Sequence, residues 1–222
     1  MLVYGKNTLY EIDKKQIKKA YISRNDYIPF LEENSIKYEK KDNSFLDQKV
    51  KGNHQGIILD IFDYEYYNKE DIEGNFVVIL DHLTDPHNFG AIIRTAECIG
   101  VKTIIIPKDR SVLVNDTVYK TSAGAINNIK IVMVTNLVNT INYLKDNGYF
   151  IYAADMDGTD YRKVNYSDKK VLIIGSEGDG VSNIVRKNCD EIVSLPLKGK
   201  INSLNASVSA GILLYEMERN NE

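Results

Sequence analysis

The chain has 222 residues, of which 43% are apolar and 27% are charged, the usual composition of a globular protein with one full core or two smaller domains. No apolar run approaches the roughly 20 residues that cross a bilayer, so a membrane-spanning protein is excluded. The N-terminus shows no secretory signal, which predicts a cytoplasmic protein. A net charge of −3 counts against a generally basic nucleic-acid binder but allows a local basic patch.

The first 63 residues consist of short alternating patterns that predict a small α/β unit. Asn7 is a plausible N-cap of a short helix, and Pro29 stands where a second helix could begin. The β-branched and apolar residues predict strands at 19–23, 36–39 and 56–62.

Lysines in this unit form two groups that could bind phosphates. The first group contains Lys14, Lys15, Lys18 and Lys19, and the second contains Lys37, Lys40, Lys41, Lys49 and Lys51. A solvated helix face with solvated loops explains the same pattern, and the sequence leaves both interpretations open.

Residues 64–75 are polar, acidic and aperiodic apart from their tyrosines, which predicts a linker. A linker there would allow a hinge between two domains. An ordered, packed connection is the alternative.

The pattern changes at Phe76, after which almost wholly apolar strands alternate with helices. The predicted strands are 76–80, 102–107, 149–154, 171–175 and 191–196, and the predicted helices are 88–100, 137–145, 182–187 and 205–219. Such an order predicts a parallel sheet covered by helices on both faces. Ligands of such sheets bind beyond the carboxyl ends of the strands.

The first of three unusual segments at strand ends is DHLTDPHNFGAIIRTAECIG, residues 81–100. Asn88 is a plausible N-cap of the helix that follows, and Gly90 allows another chain or ligand to approach closely. Arg94 lies on that helix among apolar residues. The alternative for Asn88 is a helix cap with no other role. The alternative for Arg94 is an ordinary surface arginine.

The second segment, GSEGDGVSN at residues 175–183, directly follows the strand VLIIG. Its glycines free backbone N–H groups to face a ligand. Glu177 and Asp179 would repel a phosphate, so an uncharged or cationic ligand fits better. A tight turn without a ligand is the alternative.

The third segment is LPLKGKINSLNASVSAG, residues 195–211. Lys198 and Lys200 flank a glycine in a basic turn, and Ser203 or Asn205 could cap the helix that follows. The small residues of that helix would allow close packing, in one interpretation against another subunit.

The two cysteines, Cys98 and Cys189, have no metal-ligand spacing, which argues against zinc. Cys98 falls within a helical apolar pattern and is interpreted as a small buried hydrophobe. A disulfide between them is not expected in this compartment.

Taken together, the motifs DPHNFGAIIRTAECIG, IIGSEGDGVS and LPLKGKINSLNASVSAGILLYE resemble, in order and spacing, the three motifs of the SpoU/TrmH family of SPOUT RNA methyltransferases. The resemblance implies an α/β fold with a C-terminal trefoil knot, which ordinary connection rules would not predict, and a homodimer with its active site near the subunit interface. The segments YGKNTLYEI and GNHQGIILDI are similar to the RNA-binding domain of one subset of this family, which resembles ribosomal protein L30e. The implied domains are therefore 1–63 for RNA substrate binding, 64–75 as linker and 76–222 for methyl transfer.

The resemblance further implies an S-adenosylmethionine-dependent ribose 2′-O-methyltransferase, without a metal, acting on RNA. The subset with the additional N-terminal domain suggests a guanosine of 23S rRNA. A tRNA ribose methyltransferase and a ribosome-assembly factor without catalysis are the alternatives. Carried over by motif, the catalytic residues are Asn88, Arg94, Glu177, Ser203, Asn205 and Ser207, and the cofactor-binding residues are Ala154, Gly175, Gly178, Leu195 and Leu204.

In the family's usual account, the arginine of the first motif takes part as the base. An arginine pKa above roughly 12 conflicts with that role. We expect Arg94 instead to position the phosphate and ribose through its planar donor fork. RNA contacts are expected from the N-terminal lysines with Lys198 and Lys200, and the turn Asn53–Gln55 could contact bases, unless it is a plain exposed turn.

Overall fold

The structure is a computed structural model that describes residues 1–200 and 203–219, and its strands form two sheets. Residues 201 and 202 of the third motif and the last three residues of the implied methyltransferase domain lie outside the described residues.

The N-terminal unit is a four-stranded sheet in the order β1-β4-β2-β3. Its elements are β1 (Leu2–Tyr4), α1 (Lys6–Glu11), β2 (Ile17–Ile22), α2 (Ile28–Glu33), β3 (Tyr38–Lys40), α3 (Asn43–Lys49) and β4 (Ile57–Ile61). The central strand β4 is antiparallel to β1 and β2, and its apolar side chains are buried. Pro29 stands in the first turn of α2 as predicted. The sequence did not predict α3, which Asp42 caps by accepting a hydrogen bond from the Phe45 N–H at 2.9 Å.

The predicted N-cap role of Asn7 is wrong, because Asn7 lies within α1, which begins at Lys6. Gly5 is the capping residue, with a φ of 101° that favours glycine. The Lys6 N–H donates to the side-chain oxygen of Gln55 at 2.8 Å. Gln55, which is distant in sequence, therefore supplies the side-chain acceptor that Gly5 lacks.

The segment 64–75 is an ordered connection packed on the second sheet. The Val114 N–H donates to the Tyr66 hydroxyl at 2.8 Å, and Tyr67 exchanges backbone hydrogen bonds with Ile131 and Met133. Burial raises the pKa of Tyr64 and Tyr66. The tyrosines are thus anchors, which favours the packed connection over a hinge.

The C-terminal unit is a six-stranded, all-parallel sheet in the order β10-β8-β9-β5-β6-β7. Its strands are β5 (Phe76–Asp81), β6 (Thr103–Pro107), β7 (Lys130–Val134), β8 (Phe150–Asp160), β9 (Lys170–Gly175) and β10 (Glu191–Ser194). Its helices are α4 (Pro86–Cys98), α5 (Asp116–Ser122), α6 (Leu137–Asp146), α7 (Asn183–Arg186) and α8 (Ala206–Arg219).

The side chains of β5 point alternately to the two faces of this sheet, and both faces are covered. Val78 and Leu80 pack with residues of α4, α5 and α8 in one core cluster. Val77 and Ile79 pack with residues of α6 and α7 in a second cluster. The predicted doubly covered parallel sheet is confirmed.

Cys98 is exposed, so its predicted burial is wrong. The buried face of α4 carries Ile92, Ile93 and Ala96. At 3.6 residues per turn, a residue six positions beyond Ile92 is rotated away from that face. Both thiols are free, and burial raises the pKa of Cys189 to about 12.

The two units meet at α5 and the turn that follows it. The Tyr119 hydroxyl donates to the side-chain oxygen of Gln16 at 3.1 Å, and the Asn127 amide donates to the Glu11 carbonyl at 2.9 Å. Within the described ranges, no helix combines the length and apolar content that a bilayer crossing requires.

Candidate active site

A cavity of about 340 Å³ opens at the carboxyl ends of β9 and β10 and of the part of β8 that pairs with β9, where ligands of parallel sheets bind. Ile174, Val193, Leu195 and Leu213 contribute apolar walls. The other lining residues are Ala154, Asp155, Met156, Gly175, Ser176, Glu177, Gly178, Asp179, Gly180, Leu197, Ser203, Leu204, Ala206 and Ser209. The volume lies within the roughly 300–1,000 Å³ of small-molecule sites.

The glycine-rich loop 176–180 forms one wall of the cavity as a tight turn. Ser176 and Gly180 exchange two backbone hydrogen bonds of 3.1 Å each, and Gly180 has a φ of 67°. A Cβ on Gly175 would lie 1.9 Å from the Gly180 carbonyl carbon, whereas a Cβ on Gly178 would meet nothing within 4 Å. Gly175 therefore closes the turn, and Gly178 leaves open space beside the cavity.

Glu177 joins the first and second motifs. The Asn88 amide donates to Glu177 Oε1 at 2.9 Å, and the Thr84 hydroxyl lies 3.4 Å from Oε2. Asn88 is only 5% exposed, so its amide is held in place from α4. The loop carboxylate is thereby fixed beside the cavity.

The N-cap interpretation of Asn88 is wrong. Helix α4 begins at Pro86, and Asp85 caps it by accepting a hydrogen bond from the His87 N–H at 2.8 Å. Asn88 is therefore free to hold Glu177.

Asn205 caps α8, which was one of the two alternatives for the third motif. Its side-chain oxygen accepts from the Ser207 N–H at 2.9 Å and from the Ser207 hydroxyl at 2.6 Å. Ser203 and Leu204 line the cavity, but Asn205 and Ser207 are not among its lining residues.

Arg94 is exposed on α4 and is not among the cavity's lining residues. Within residues 1–200 and 203–219, its guanidinium has no hydrogen-bond or ion-pair partner. Its five N–H donors are available to a ligand from outside this chain.

The five residues assigned to the cofactor by resemblance, Ala154, Gly175, Gly178, Leu195 and Leu204, all line the cavity. Apolar walls suit the faces of an adenine ring. The carboxylates of Glu177 and Asp179 lie at the same cavity and would favour a positively charged sulfonium over a phosphate. The residues present therefore fit S-adenosylmethionine, and among the described residues no cluster of three His, Cys, Asp or Glu side chains is arranged to hold a metal.

Sequence analysis missed the contribution of residues 155–156. The predicted strand ended at residue 154, yet β8 continues to Asp160, and Met156 is 66% exposed at the cavity. The polar run DMDGTD carries no strand pattern, so no local signal pointed to it.

A second depression lies on the other side of the 176–180 loop and contains Asp81, His82, Thr84 and Arg110. Buried Asp81 accepts from the Ser182 N–H at 2.7 Å and lies 2.5 Å from His82 Nδ1. Asp81 therefore ties the end of β5 to the residues that follow the loop.

Two predicted RNA contacts have structural roles instead. The Lys14 ammonium donates to the carbonyls of Leu9, Tyr10 and Ile12 at the end of α1, and desolvation lowers its pKa. In the turn at residues 53–55, His54 is buried: its Nδ1 accepts from the Gly56 N–H and its Nε2 lies 3.0 Å from Asp47.

Lys19 is partly buried and pairs with Glu39. The other predicted lysines are exposed, and these are Lys15, Lys18, Lys37, Lys40, Lys41, Lys49, Lys51, Lys198 and Lys200. Most of the predicted set is therefore accessible to a phosphate.

Comparison with protein families matches residues 75–215 to the SpoU rRNA Methylase family. Residues 2–67 match the RNA 2′-O ribose methyltransferase substrate binding domain. Both units of the chain thus match families of RNA methyltransferases.

Among curated relatives, the chain is 37% identical over 235 residues to YacO of Bacillus subtilis, covering 98% of this chain and 94% of the relative. It is 42% identical over 212 residues to a protein of Staphylococcus saprophyticus, covering 91% and 84%. Both names assign these relatives to the TrmH family of tRNA/rRNA methyltransferases without deciding between the two RNAs.

Solved structures agree with this assignment. The AdoMet-bound rRNA methyltransferase of Sinorhizobium meliloti matches with a TM-score of 0.84 at 25% identity, over 98% of this chain and 86% of that one. The SpoU methyltransferase AviRb of Streptomyces viridochromogenes in complex with AdoMet has the same fold, with a TM-score of 0.84 at 21% identity over 100% and 90%. This chain belongs to the SpoU family of RNA methyltransferases, which use S-adenosylmethionine as their methyl donor.

Proposed function

We propose that this protein transfers a methyl group from S-adenosylmethionine to the ribose 2′-hydroxyl of a guanosine in 23S rRNA. The observation that carries the proposal is the cavity at the carboxyl ends of β9 and β10 together with the Asn88–Glu177 pair beside it. The cavity suits the donor, and the polar pair adjoins the opening that an acceptor would use.

Ala154, Gly175, Gly178, Leu195 and Leu204 hold the cofactor in this proposal, largely through backbone groups. S-adenosylmethionine, when bound, supplies a methyl group activated by a positively charged sulfur. The protein must then place the ribose oxygen in line with that methyl and exclude competing water.

Arg94 positions the substrate phosphate and ribose through its donor fork, because an arginine with a pKa above roughly 12 is a poor proton acceptor. The 2′-hydroxyl proton passes to a phosphate oxygen or to water. The guanidinium of Arg94 is exposed and has no partner among the residues that the structure describes, which supports a role toward a ligand.

Asn88 and Glu177 hold the reacting groups in place, and Ser203 supplies a hydroxyl at the cavity. Asn205 and Ser207 act as a pair through their 2.6 Å hydrogen bond. Because Asn205 uses its oxygen to cap α8, its amide N–H groups remain for the substrate.

The substrate assignment to rRNA rests on the N-terminal unit. The structure named as an rRNA methyltransferase matches 98% of this chain, whereas the TrmH/SpoU tRNA modifying enzyme of A. aeolicus covers 67% of it, with a TM-score of 0.61 at 29% identity. The exposed lysines of the N-terminal unit, together with Lys198 and Lys200, supply phosphate contacts.

The active form is a homodimer in this proposal. Val208, Ile212 and Tyr215 are each between 37% and 57% exposed, and their spacing of four and three residues places them on one face of α8. An exposed apolar stripe of this kind marks an interaction surface. We further propose that the C-terminal unit contains a trefoil knot. The proposed domains are 1–63 for RNA binding, 64–75 as linker and 76–222 for methyl transfer.

Transfer of radiolabelled methyl to unmodified 23S rRNA and, in parallel, to unmodified bulk tRNA tests the substrate. We expect label on 23S rRNA alone. Label on tRNA alone would retain the chemistry and refute the rRNA assignment, and label on neither would favour an assembled particle as substrate or a role without catalysis.

A further inference from the structure

The segment 154–158 leaves the sheet where the cavity opens. Along the β8–β10 pairing, Ile192 lies opposite Ala153 but Val193 lies opposite Thr159. The pairing of β8 with β9 ends at Ala153. Residues 154–158 therefore bulge out of the sheet, and Ala154, Asp155 and Met156 line the cavity.

Arg186 of α7 holds this bulge from outside the cavity. Its Nη1 lies 3.0 Å from Asp155 Oδ2, and its Nη2 lies 3.7 Å from Asp157 Oδ2. One guanidinium thus bridges two carboxylates on either side of Met156. Arginine suits this task because its planar fork has several donors in a fixed geometry.

The base of the bulge is also fixed. A Cβ on Gly158 would lie 2.5 Å from the Ile192 carbonyl oxygen, so the chain there rests directly on β10. The Ser194 hydroxyl donates to the Gly158 carbonyl at 2.8 Å. Between this base and Ala153, the ion pairs with Arg186 join the bulge to α7.

Asp155 links the ion pairs of Arg186, which we call the clamp, to the cavity wall. Its Oδ1 accepts from the Met156 N–H at 2.6 Å, while its Oδ2 faces Arg186. Both oxygens are occupied, so Asp155 orients the backbone of Met156, whose apolar side chain lies at the cavity and is largely exposed.

We propose that Arg186 is a positioning residue for the methyl donor, acting through Asp155 and Asp157 to hold the 154–158 bulge as the outer wall of the cofactor cavity. The inference rests on the proposed function in placing S-adenosylmethionine in this cavity. It adds a residue that does not line the cavity and lies outside the three motifs.

The test compares Arg186→Gln with the wild-type protein by calorimetric titration with S-adenosylmethionine. We expect the Kd to rise about threefold to tenfold, which matches the loss of one ion-pair network at a partly exposed position. The kcat at saturating donor should stay within about twofold, because the reacting groups are untouched. Arg186→Lys should restore part of the affinity, since it keeps the charge but not the fork.

Arg162→Gln is the matched control, because Arg162 pairs with Asp160 at the end of β8 but does not line or brace the cavity. We expect it to leave the Kd unchanged. Arg186→Gln and Asp155→Asn remove the same ion pair. The Kd of the double variant should therefore rise by less than the product of the two single effects.

Hydrogen exchange of residues 154–158 in the protein without donor gives a readout independent of the cofactor. Faster exchange in Arg186→Gln than in Arg162→Gln is expected. If Arg186→Gln changes neither the exchange rate of residues 154–158 nor the Kd for S-adenosylmethionine, Arg186 does not position the bulge. Wild-type protein that binds no S-adenosylmethionine would instead overturn the proposed function and, with it, the cofactor role of the bulge.

Discussion

Asn88 and Glu177 are 89 residues apart in sequence and 2.9 Å apart in space. The sequence offered two interpretations of Asn88, a helix cap or a site residue, because both are compatible with an asparagine at a strand-to-helix turn. The presence of Asp85 at the cap position excludes the cap, and the contact to Glu177 supports the site role that we propose. Local patterns could not separate the two, since the deciding partner lies in another motif.

Arg94→Ala is the first prediction at the residue scale. Without the donor fork, the phosphate and ribose are no longer aligned, so we expect the rate of methyl transfer to fall at least about 100-fold. Donor affinity should be unchanged, because Arg94 is not among the cavity's lining residues. Single-turnover kinetics and calorimetric titration measure the two quantities.

Arg219→Ala is the control for Arg94, since Arg219 is an exposed helical arginine paired with Glu216. It should transfer methyl groups at the wild-type rate. If Arg94→Ala also does so, Arg94 has no positioning role.

Gly175 and Gly178 give a matched pair within one loop. Gly175→Ala would place a methyl group 1.9 Å from the Gly180 backbone, so we expect a loss of about 1–3 kcal/mol or more in the free energy of unfolding. Gly178→Ala has open space and should change that free energy by less than about 0.5 kcal/mol. Urea denaturation of both variants measures this, and equal stabilities would contradict the closed-turn geometry.

At the scale of elements, the long apolar runs were the most predictable. The runs that form β5, β6 and β9 contain almost nothing but β-branched or aliphatic residues, so burial on both faces follows directly. In contrast, α5 and β7 lie in a stretch interrupted by polar residues and were not predicted. Helix α5 buries Val118, Tyr119 and Ser122, a face too short for helical periodicity to reveal.

Helix α4 provides a prediction about capping. Asp85→Ala removes the acceptor for the His87 N–H, so we expect a loss of about 1 kcal/mol in the free energy of unfolding. Asp85→Ser retains a capping oxygen and should recover most of it. If the alanine and serine variants are equally stable in denaturant titrations, Asp85 does not cap α4.

At the scale of the whole molecule, the predicted division into an N-terminal α/β unit and a parallel-sheet unit matches the two sheets. The way they join was not predictable. Tyr64 and Tyr66 anchor the connection through contacts near β7 and α5. Helix α5 also contacts the N-terminal unit through Tyr119. These contacts depend on β7 and α5, which the sequence did not reveal, so the segment 64–75 was interpreted as a linker.

The apolar stripe on α8 predicts the assembly state. Ile212→Glu places a charge in the centre of the stripe, so we expect a dimer to dissociate into monomers and methyl transfer to fall with it. Leu113→Glu changes an exposed apolar residue on a different surface and should leave the dimer intact. Sedimentation analysis distinguishes the two, and a wild-type monomer would refute the homodimer.

The most direct test of the central claim is the chemical identity of the methylated product. Labelled RNA from the wild-type reaction is digested with alkali, which cleaves next to a free 2′-hydroxyl but not next to a 2′-O-methyl ribose. The account predicts that the label is recovered in an alkali-resistant dinucleotide. Label recovered in mononucleotides with a methylated base would contradict it.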